Sequence, residues 1–258
     1  MKNNMRVFVC SKGLARERGT LVKPKNEKGG FPGNAFYKRV RKDKYRPLIA
    51  NNASRWQSYF RRIHQLFYQF AKFVCYLFLR FICRWEVRGR ENIPAEGPVV
   101  IVANHVSYLD PVVVGVAFPR MVRFMAKEEL FHIPIFKYII RGLQAFPVRR
   151  GESDRAALKT ALQILHQGQV LGIFPEGTRS PDGRLLPFQA GAAVLALKTG
   201  AVLLPVAIKD TDRVFRGGHI KITFGRPLKI TTSGRNYTPQ QVQDLTSAAY
   251  QEVKKMLA

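Results

Sequence analysis

Pro98-Val99-Val100-Ile101-Val102-Ala103, continuing into Asn104-His105-Val106-Ser107-Tyr108-Leu109-Asp110-Pro111, is the stretch on which the reading of this chain turns. The leading run is wholly apolar, the pattern of a strand buried on both faces. Asp110 before Pro111 reads as an N-cap and a first-turn proline opening a helix. His105 then falls in a strand-to-helix loop, five residues before a carboxylate. In open α/β sheets, loops at the carboxyl ends of parallel strands are where ligands bind. There a neutral imidazole can take up a proton while Asp110 orients the ring.

Other apolar runs also end in charge. Val170 to Phe174 leads into Pro175-Glu176-Gly177-Thr178-Arg179-Ser180, and Phe146-Pro147-Val148 leads into Arg149-Arg150-Gly151. Gly177 allows a turn with positive φ, and Arg179 offers a planar fork of donors suited to phosphate or carboxylate. Independent surface accidents would not fall repeatedly at the same end of one sheet.

Strand-like runs are expected at 98–103, 121–126, 143–148, 169–174, 201–208 and 219–225, with helices at 110–118, 134–142, 153–167, 189–199 and 239–257. This alternation predicts a mixed, largely parallel sheet flanked by helices. Pro205 sits inside a strand-like run, where a missing N–H is tolerated at an edge or a bulge. Asp182-Gly183 marks a tight turn, and no internal repeat is present.

Taken in order, Asn-His-x4-Asp, Phe-Pro-Val-Arg, Phe-Pro-Glu-Gly-Thr-Arg-Ser and Leu204-Pro205-Val206-Ala207-Ile208 resemble the four-block signature of the glycerolipid acyltransferases, with the 1-acylglycerol-3-phosphate acyltransferases the nearest match. The resemblance runs from about Arg84 to the C-terminus. It implies transfer of a fatty acyl group from a thioester, on coenzyme A or acyl carrier protein, to a lysophospholipid hydroxyl at a membrane surface. No other cofactor is implied.

An alcohol attacking a thioester must lose its proton as the bond forms, which is the task of a general base such as His105. Asp110 would fix its tautomer. A phosphomonoester acceptor calls for converging cations, for which Arg149 and Arg179 are the candidates. Lys127 is a third, or else a solvent-facing strand end. The resemblance assigns the block Glu176-Gly177-Thr178-Arg179 to acceptor binding, and the Gly177 amide is open to serving either the phosphate or the oxyanion. An acceptor such as glycerol-3-phosphate or another lysolipid fits the same cations.

Cys10, Cys75 and Cys83 make an odd count without metal-ligand spacing, so neither a disulfide framework nor a metal site is expected, and a reducing compartment fits. The first residues are charged and lack the apolar run of a signal peptide. Residues 1–55 hold 15 Lys/Arg against three acids but only Ser11 and Ser54, which is too little serine for a transit peptide. Residues 1–53 therefore read as a basic, disordered arm, 54–84 as a separate helix and 85–258 as the acyltransferase-like domain.

In the helix, Leu66 to Cys83 is apolar at all but three of 18 positions. Even so, Arg61, Arg62, Gln65, Gln69, Lys72, Tyr76, Arg80 and Arg84 share one face, while Trp56, Ile63, Phe67, Phe70, Val74, Phe78 and Phe81 share the opposite one. The pattern fits a helix lying in the interface of an anionic membrane, with Lys and Arg reaching headgroups. A span would place Lys72 and Arg80 in hydrocarbon. The chain is thus expected on the cytoplasmic side of a membrane, peripheral or monotopic. The formal charge of +26 also allows a nonenzymatic basic protein that binds membrane or nucleic acid. Nucleic acid is not expected, because the aromatics form one apolar face and are not interleaved with the cations.

Overall fold

The computed structural model describes residues 16–17, 20–21, 62–63, 65–81, 83–134, 136–149, 154–214, 217–230 and 236–258. The chain divides into two compact units, Met1–Gln57 and Ser58–Ala258. In the first, Arg16–Glu17 pairs antiparallel with Thr20–Leu21. The reading of 1–53 as a disordered arm otherwise lies outside the described residues.

The second unit opens with a helix, α1, at residues 65–81, and strand β1, Trp85–Arg88. There follow β2 (Val99–Ala103), α2 (Asp110–Ala117), β3 (Val122–Lys127), α3 (Phe136–Gly142) and β4 (Phe146–Val148). Next come α4 (Arg155–His166), β5 (Val170–Ile173), α5 (Gly191–Thr199), β6 (Val202–Lys209), β7 (Ile220–Phe224) and α6 (Pro239–Leu257). The strands form one seven-stranded sheet in the order β1-β7-β6-β2-β5-β3-β4, parallel except between β6 and β7.

All six expected strands and all five expected helices of the domain form. The added strand is β1, whose residues Trp85-Glu86-Val87-Arg88 alternate apolar and charged because an edge strand need not be apolar throughout. Central β2 is buried at all five positions. Val99, Ile101 and Ala103 join a core beneath α1 and α2, and Val100 and Val102 join a second core beneath α4, α5 and α6. The three valines and Ile101 each contribute roughly 1.5–3 kcal/mol on burial, so the apolar run of the sequence is the centre of both layers.

Pro205 lies on β6, a central strand and not an edge. Its carbonyl accepts the Gly225 amide at 2.9 Å, so its nitrogen faces the same neighbour. There the pairing slips by one residue between Leu203–Leu228 and Val206–Phe224, and no N–H is required of Pro205. Of the two sequence-based options, edge or bulge, the bulge is the one realised.

Helix α1 docks on the sheet through Tyr68, Lys72, Cys75 and Leu79, spaced three or four residues apart, with Cys83 continuing the stripe. The Tyr68 hydroxyl accepts the Val122 amide at 3.2 Å, and Lys72 Nζ donates to the Phe118 carbonyl at 2.5 Å. The expected placement of Lys72 toward headgroups is therefore corrected: its stem runs along the domain and its ammonium satisfies a backbone carbonyl. Burial, with a smaller contribution from the charge of Arg90, pushes its pKa down. Burial also pushes the pKa of the Cys75 and Cys83 thiols up, away from the thiolate form. Among the described residues, no helix is long and apolar enough to cross a membrane.

Candidate active site

The site is built at the carboxyl end of β2. Asn104 extends that strand with its side chain: Nδ2 donates to the Ile208 carbonyl and Oδ1 accepts the Ile208 amide, both at 2.8 Å. The amide group takes the place of one more ladder step with β6, so the chain can leave the sheet here without orphaning Ile208.

His105 follows. Its Nδ1 donates to Asp110 Oδ2 at 2.8 Å, and its side chain is 9% exposed. Asp110 is fully buried and surrounded by donors. The amides of Val106 and Ser107 donate to Oδ2 at 2.7 and 2.8 Å, and Thr211 Oγ1 donates to Oδ1 at 2.5 Å. A carboxylate so placed assigns the ring proton to Nδ1 and leaves Nε2 as the proton acceptor. The expected N-cap role of Asp110 is corrected. The N-cap residue is Leu109, in an αR backbone and without a side-chain cap bond, while Asp110 opens the helix proper and spends its oxygens on the loop before it. Its charge still lies in the first turn, where the helix dipole favours it.

The imidazole rests on aromatic rings. His105 stacks on Phe174 with centroids 4.1 Å apart and planes at 19°, and Phe174 stacks on Phe124 at 5.8 Å and 12°. Phe124 crosses β5 at Gly172, where a Cβ would come within 2.3 Å of its ring. That glycine is what lets the stack lie flat against the sheet.

The Glu176 loop is joined to the His105 loop at both ends of one residue. Glu176 Oε1 accepts the His105 amide at 2.7 Å, and the His105 carbonyl accepts the Ser180 amide at 2.7 Å. Glu176 Oε2 accepts the Leu186 amide at 3.0 Å. The carboxylate is buried and holds the His105 loop, with both oxygens taken by backbone. Burial pushes its pKa up, the two amides oppose the shift, and the charge of Asp110 adds to it. Gly177 has φ +73° with Gln189 packed where a Cβ would be. Its amide donates to the Phe174 carbonyl at 3.1 Å, so the expected donation to phosphate or oxyanion is replaced by a turn bond. Asp182-Gly183 turns as expected, with Gly183 at φ +77°.

The cationic candidates separate. Arg179 is exposed, and its guanidinium lies 3.7 Å from the centroid of the Tyr108 ring, within the His105 loop itself. Thr178 is exposed beside it. Arg149 is held by Glu128 through Nε at 2.7 Å and Nη2 at 3.4 Å. Lys127 pairs with Glu129 at 2.9 Å and is half exposed, the solvent-facing strand end of its two readings. Arg150 lies outside the described residues.

Thr211, Phe174, Gly172, Tyr108 and Glu128 escaped the sequence reading. Phe174 and Tyr108 stand within the recognised blocks and only their stacking was hidden. Thr211 and Glu128 carry no local signal, since their partners lie far along the chain.

Residues 84–209 match a family described as Acyltransferase. A 1-acyl-sn-glycerol-3-phosphate acyltransferase of Bacillus subtilis is 30% identical over 175 residues, covering 66% of this chain and 87% of that protein. One from Borreliella burgdorferi is 35% identical over 131 residues, 50% of this chain and 52% of its own length. The crystal structure of the 1-acyl-sn-glycerophosphate acyltransferase PlsC of Thermotoga maritima is similar with a TM-score of 0.59 and 26% identity, covering 86% of this chain and 92% of that one. The ordered blocks, the sheet that carries them and a relative matched over most of its own length agree: this chain belongs to the acyltransferase family.

Proposed function

We propose that this acyltransferase moves a fatty acyl group from a thioester, on coenzyme A or acyl carrier protein, to the free hydroxyl of 1-acyl-sn-glycerol-3-phosphate, forming phosphatidic acid. The relatives named for this reaction support the acceptor. The observation that carries the chemistry is the bond from His105 Nδ1 to the buried Asp110, which leaves Nε2 to meet a substrate.

In this reading Nε2 removes the hydroxyl proton as the oxygen attacks the thioester carbonyl. Asp110 stabilises the imidazolium, and collapse of the tetrahedral oxyanion breaks the C–S bond. The imidazolium then returns its proton to the departing thiolate, so the base is regenerated. No protein nucleophile takes part. Arg179 binds the acceptor phosphate, leaving the Tyr108 face to do so, with Thr178 next to it in the chain; Arg149 and Lys127 would join only by giving up Glu128 and Glu129. A cation–π contact contributes only about 0.5–1 kcal/mol at an exposed site, less than the roughly 1.5–3 kcal/mol of a bond to a charged group. Glu176 and Gly177 serve the acceptor indirectly, by fixing the two loops.

A lysolipid and its product both live in the bilayer. We therefore place the enzyme on the cytoplasmic side of a membrane, held peripherally by α1. Support comes from the apolar side chains on α1 opposite its docked stripe, of which Phe70, Val74 and Phe81 are exposed. The test is an acyl-transfer assay crossing several lysolipids and glycerol-3-phosphate with both donor classes. Turnover confined to acceptors without phosphate would overturn the proposal.

A further inference from the structure

Helix α1 accounts for only part of the exposed apolar surface. Its outward side carries Leu66, Phe70 and Phe81, exposed at 70%, 66% and 78%. A second group lies on the α/β domain itself, where Ile133, before α3, and Tyr138 and Ile139, on α3, are exposed at 47%, 66% and 42%. Ile140 is buried, so α3 is seated by one side and shows the other. The two groups adjoin: Phe67 of α1 lies against Gly142 at the end of α3, where a Cβ would fall 2.4 Å from its ring. Together they exceed the single scattered hydrophobes normal on a protein surface.

Charge identifies what covers this surface. No acidic residue occurs from 62 to 84 or from 130 to 151. Arg62, Arg80 and Arg84 flank the α1 group, Arg141 is exposed on α3, and Lys137 lies 5.0 Å from the centroid of the Tyr138 ring. Glu128 and Glu129, in the turn before Ile133, are paired with Arg149 and Lys127. An apolar face rimmed mostly by cations matches an anionic bilayer, with ring and aliphatic tips at the acyl boundary and the cations on headgroups.

We propose that Ile133 and α3 form a second membrane anchor, carried by the catalytic domain and continuous with α1, so that one face of the sheet rests on an anionic bilayer. His105 belongs to that side, because the rings it stacks on, Phe174 and Phe124, pack into the core beneath α1 and α2. Strand β3, which ends at Lys127 on the catalytic end of the sheet, runs on through one short 3-10 turn to Ile133. A lipid acceptor then reaches the imidazole directly from the bilayer. The inference rests on the proposed lipid acceptor, and it adds which surface presents the site to the lipid.

The test uses the full-length chain carrying Ile133→Ser, Tyr138→Ser and Ile139→Ser together, with vesicles of phosphatidylcholine and phosphatidylglycerol. Vesicle partitioning should fall about 10-fold or more while the melting temperature is kept. Acyl transfer to a detergent-dispersed acceptor should stay at the wild-type level and transfer to a vesicle-embedded acceptor should drop. Unchanged partitioning means α1 anchors alone and overturns the proposal. So does a wild-type self-association that the variant abolishes while vesicle binding is kept, since a second copy then covers the face. If the triple variant does not fold, Tyr138→Trp decides: bromine-labelled acyl chains quench the added fluorescence under the proposal, and no quenching overturns it. Wild-type protein inactive on every acceptor in detergent would instead overturn the proposed reaction, leaving the vesicle result to judge the anchor.

Discussion

Thr211 Oγ1 donates to Asp110 Oδ1 at 2.5 Å across 101 residues of sequence, with both side chains buried. The Asp110 oxygen that His105 does not use is thereby held from the end of β6. Thr211 is a positioning residue, acting on the imidazole only through Asp110. Thr211→Val should lower kcat roughly 10-fold with little change in acceptor KM, and Thr211→Ser should restore it. A pH–rate profile should show the basic group displaced in the valine variant, whereas a purely structural role would lower activity without moving the profile.

His105→Ala should reduce kcat by about 10²- to 10⁴-fold. The two backbone bonds of residue 105 do not need the imidazole, and Phe174 keeps its stack on Phe124 without it. Circular dichroism should therefore report an intact protein, and substantial residual turnover in it would remove His105 as base.

Arg179→Ala should raise acceptor KM at least about 10-fold, the equivalent of one charge-assisted bond, with a smaller change in kcat. Tyr108→Leu removes only the resting place of the guanidinium, so acceptor KM should change less than in the arginine variant. Initial rates at varied acceptor separate the two.

Glu176→Gln exchanges a carboxylate that accepts two amides for a group with one acceptor oxygen, setting an NH2 against a backbone N–H. Both kcat and stability should fall. Because burial raises the Glu176 pKa, the folded chain keeps this proton to higher pH than the unfolded chain does. Wild-type stability from this group is thus lost as pH rises from the usual carboxyl range through the raised value. The stability gap between wild type and Glu176→Gln should narrow over that window, as denaturant melts at stepped pH would show.

Leu79→Ala on α1 should destabilise the whole domain by about 2–5 kcal/mol, because Leu79 is fully buried in the core that includes Val99 and Ile101. A single cooperative transition at lower denaturant is expected. A helix that melted separately, with the domain transition unmoved, would contradict its integral packing.

The order and type of the elements were legible because β2, β3, β5 and β6 are largely apolar runs set off by turns, β7 alternates over five residues, and α4 and α6 keep a regular apolar period. Strand β1 was not, since its alternation of apolar and charged residues is too short to stand out. In the site, His105 and Asp110 could be paired because five residues of one loop bring them together. The loop amides that claim the Asp110 and Glu176 carboxylates could not be foreseen, because a backbone donor looks the same at every residue.

Sequence by itself determined the chemistry available here: an imidazole beside a carboxylate, cations at neighbouring strand ends and a helix with an aromatic face. Local spacing and residue type suffice for that. Tertiary structure alone decided how those groups are spent. It gave Arg149 to Glu128 and Lys127 to Glu129, set Arg179 over Tyr108, turned Lys72 onto Phe118 and fixed Asp110 through Thr211. Such assignments depend on which distant groups the sheet and its helices bring within hydrogen-bonding distance, and contacts of that range leave no periodic trace along a chain.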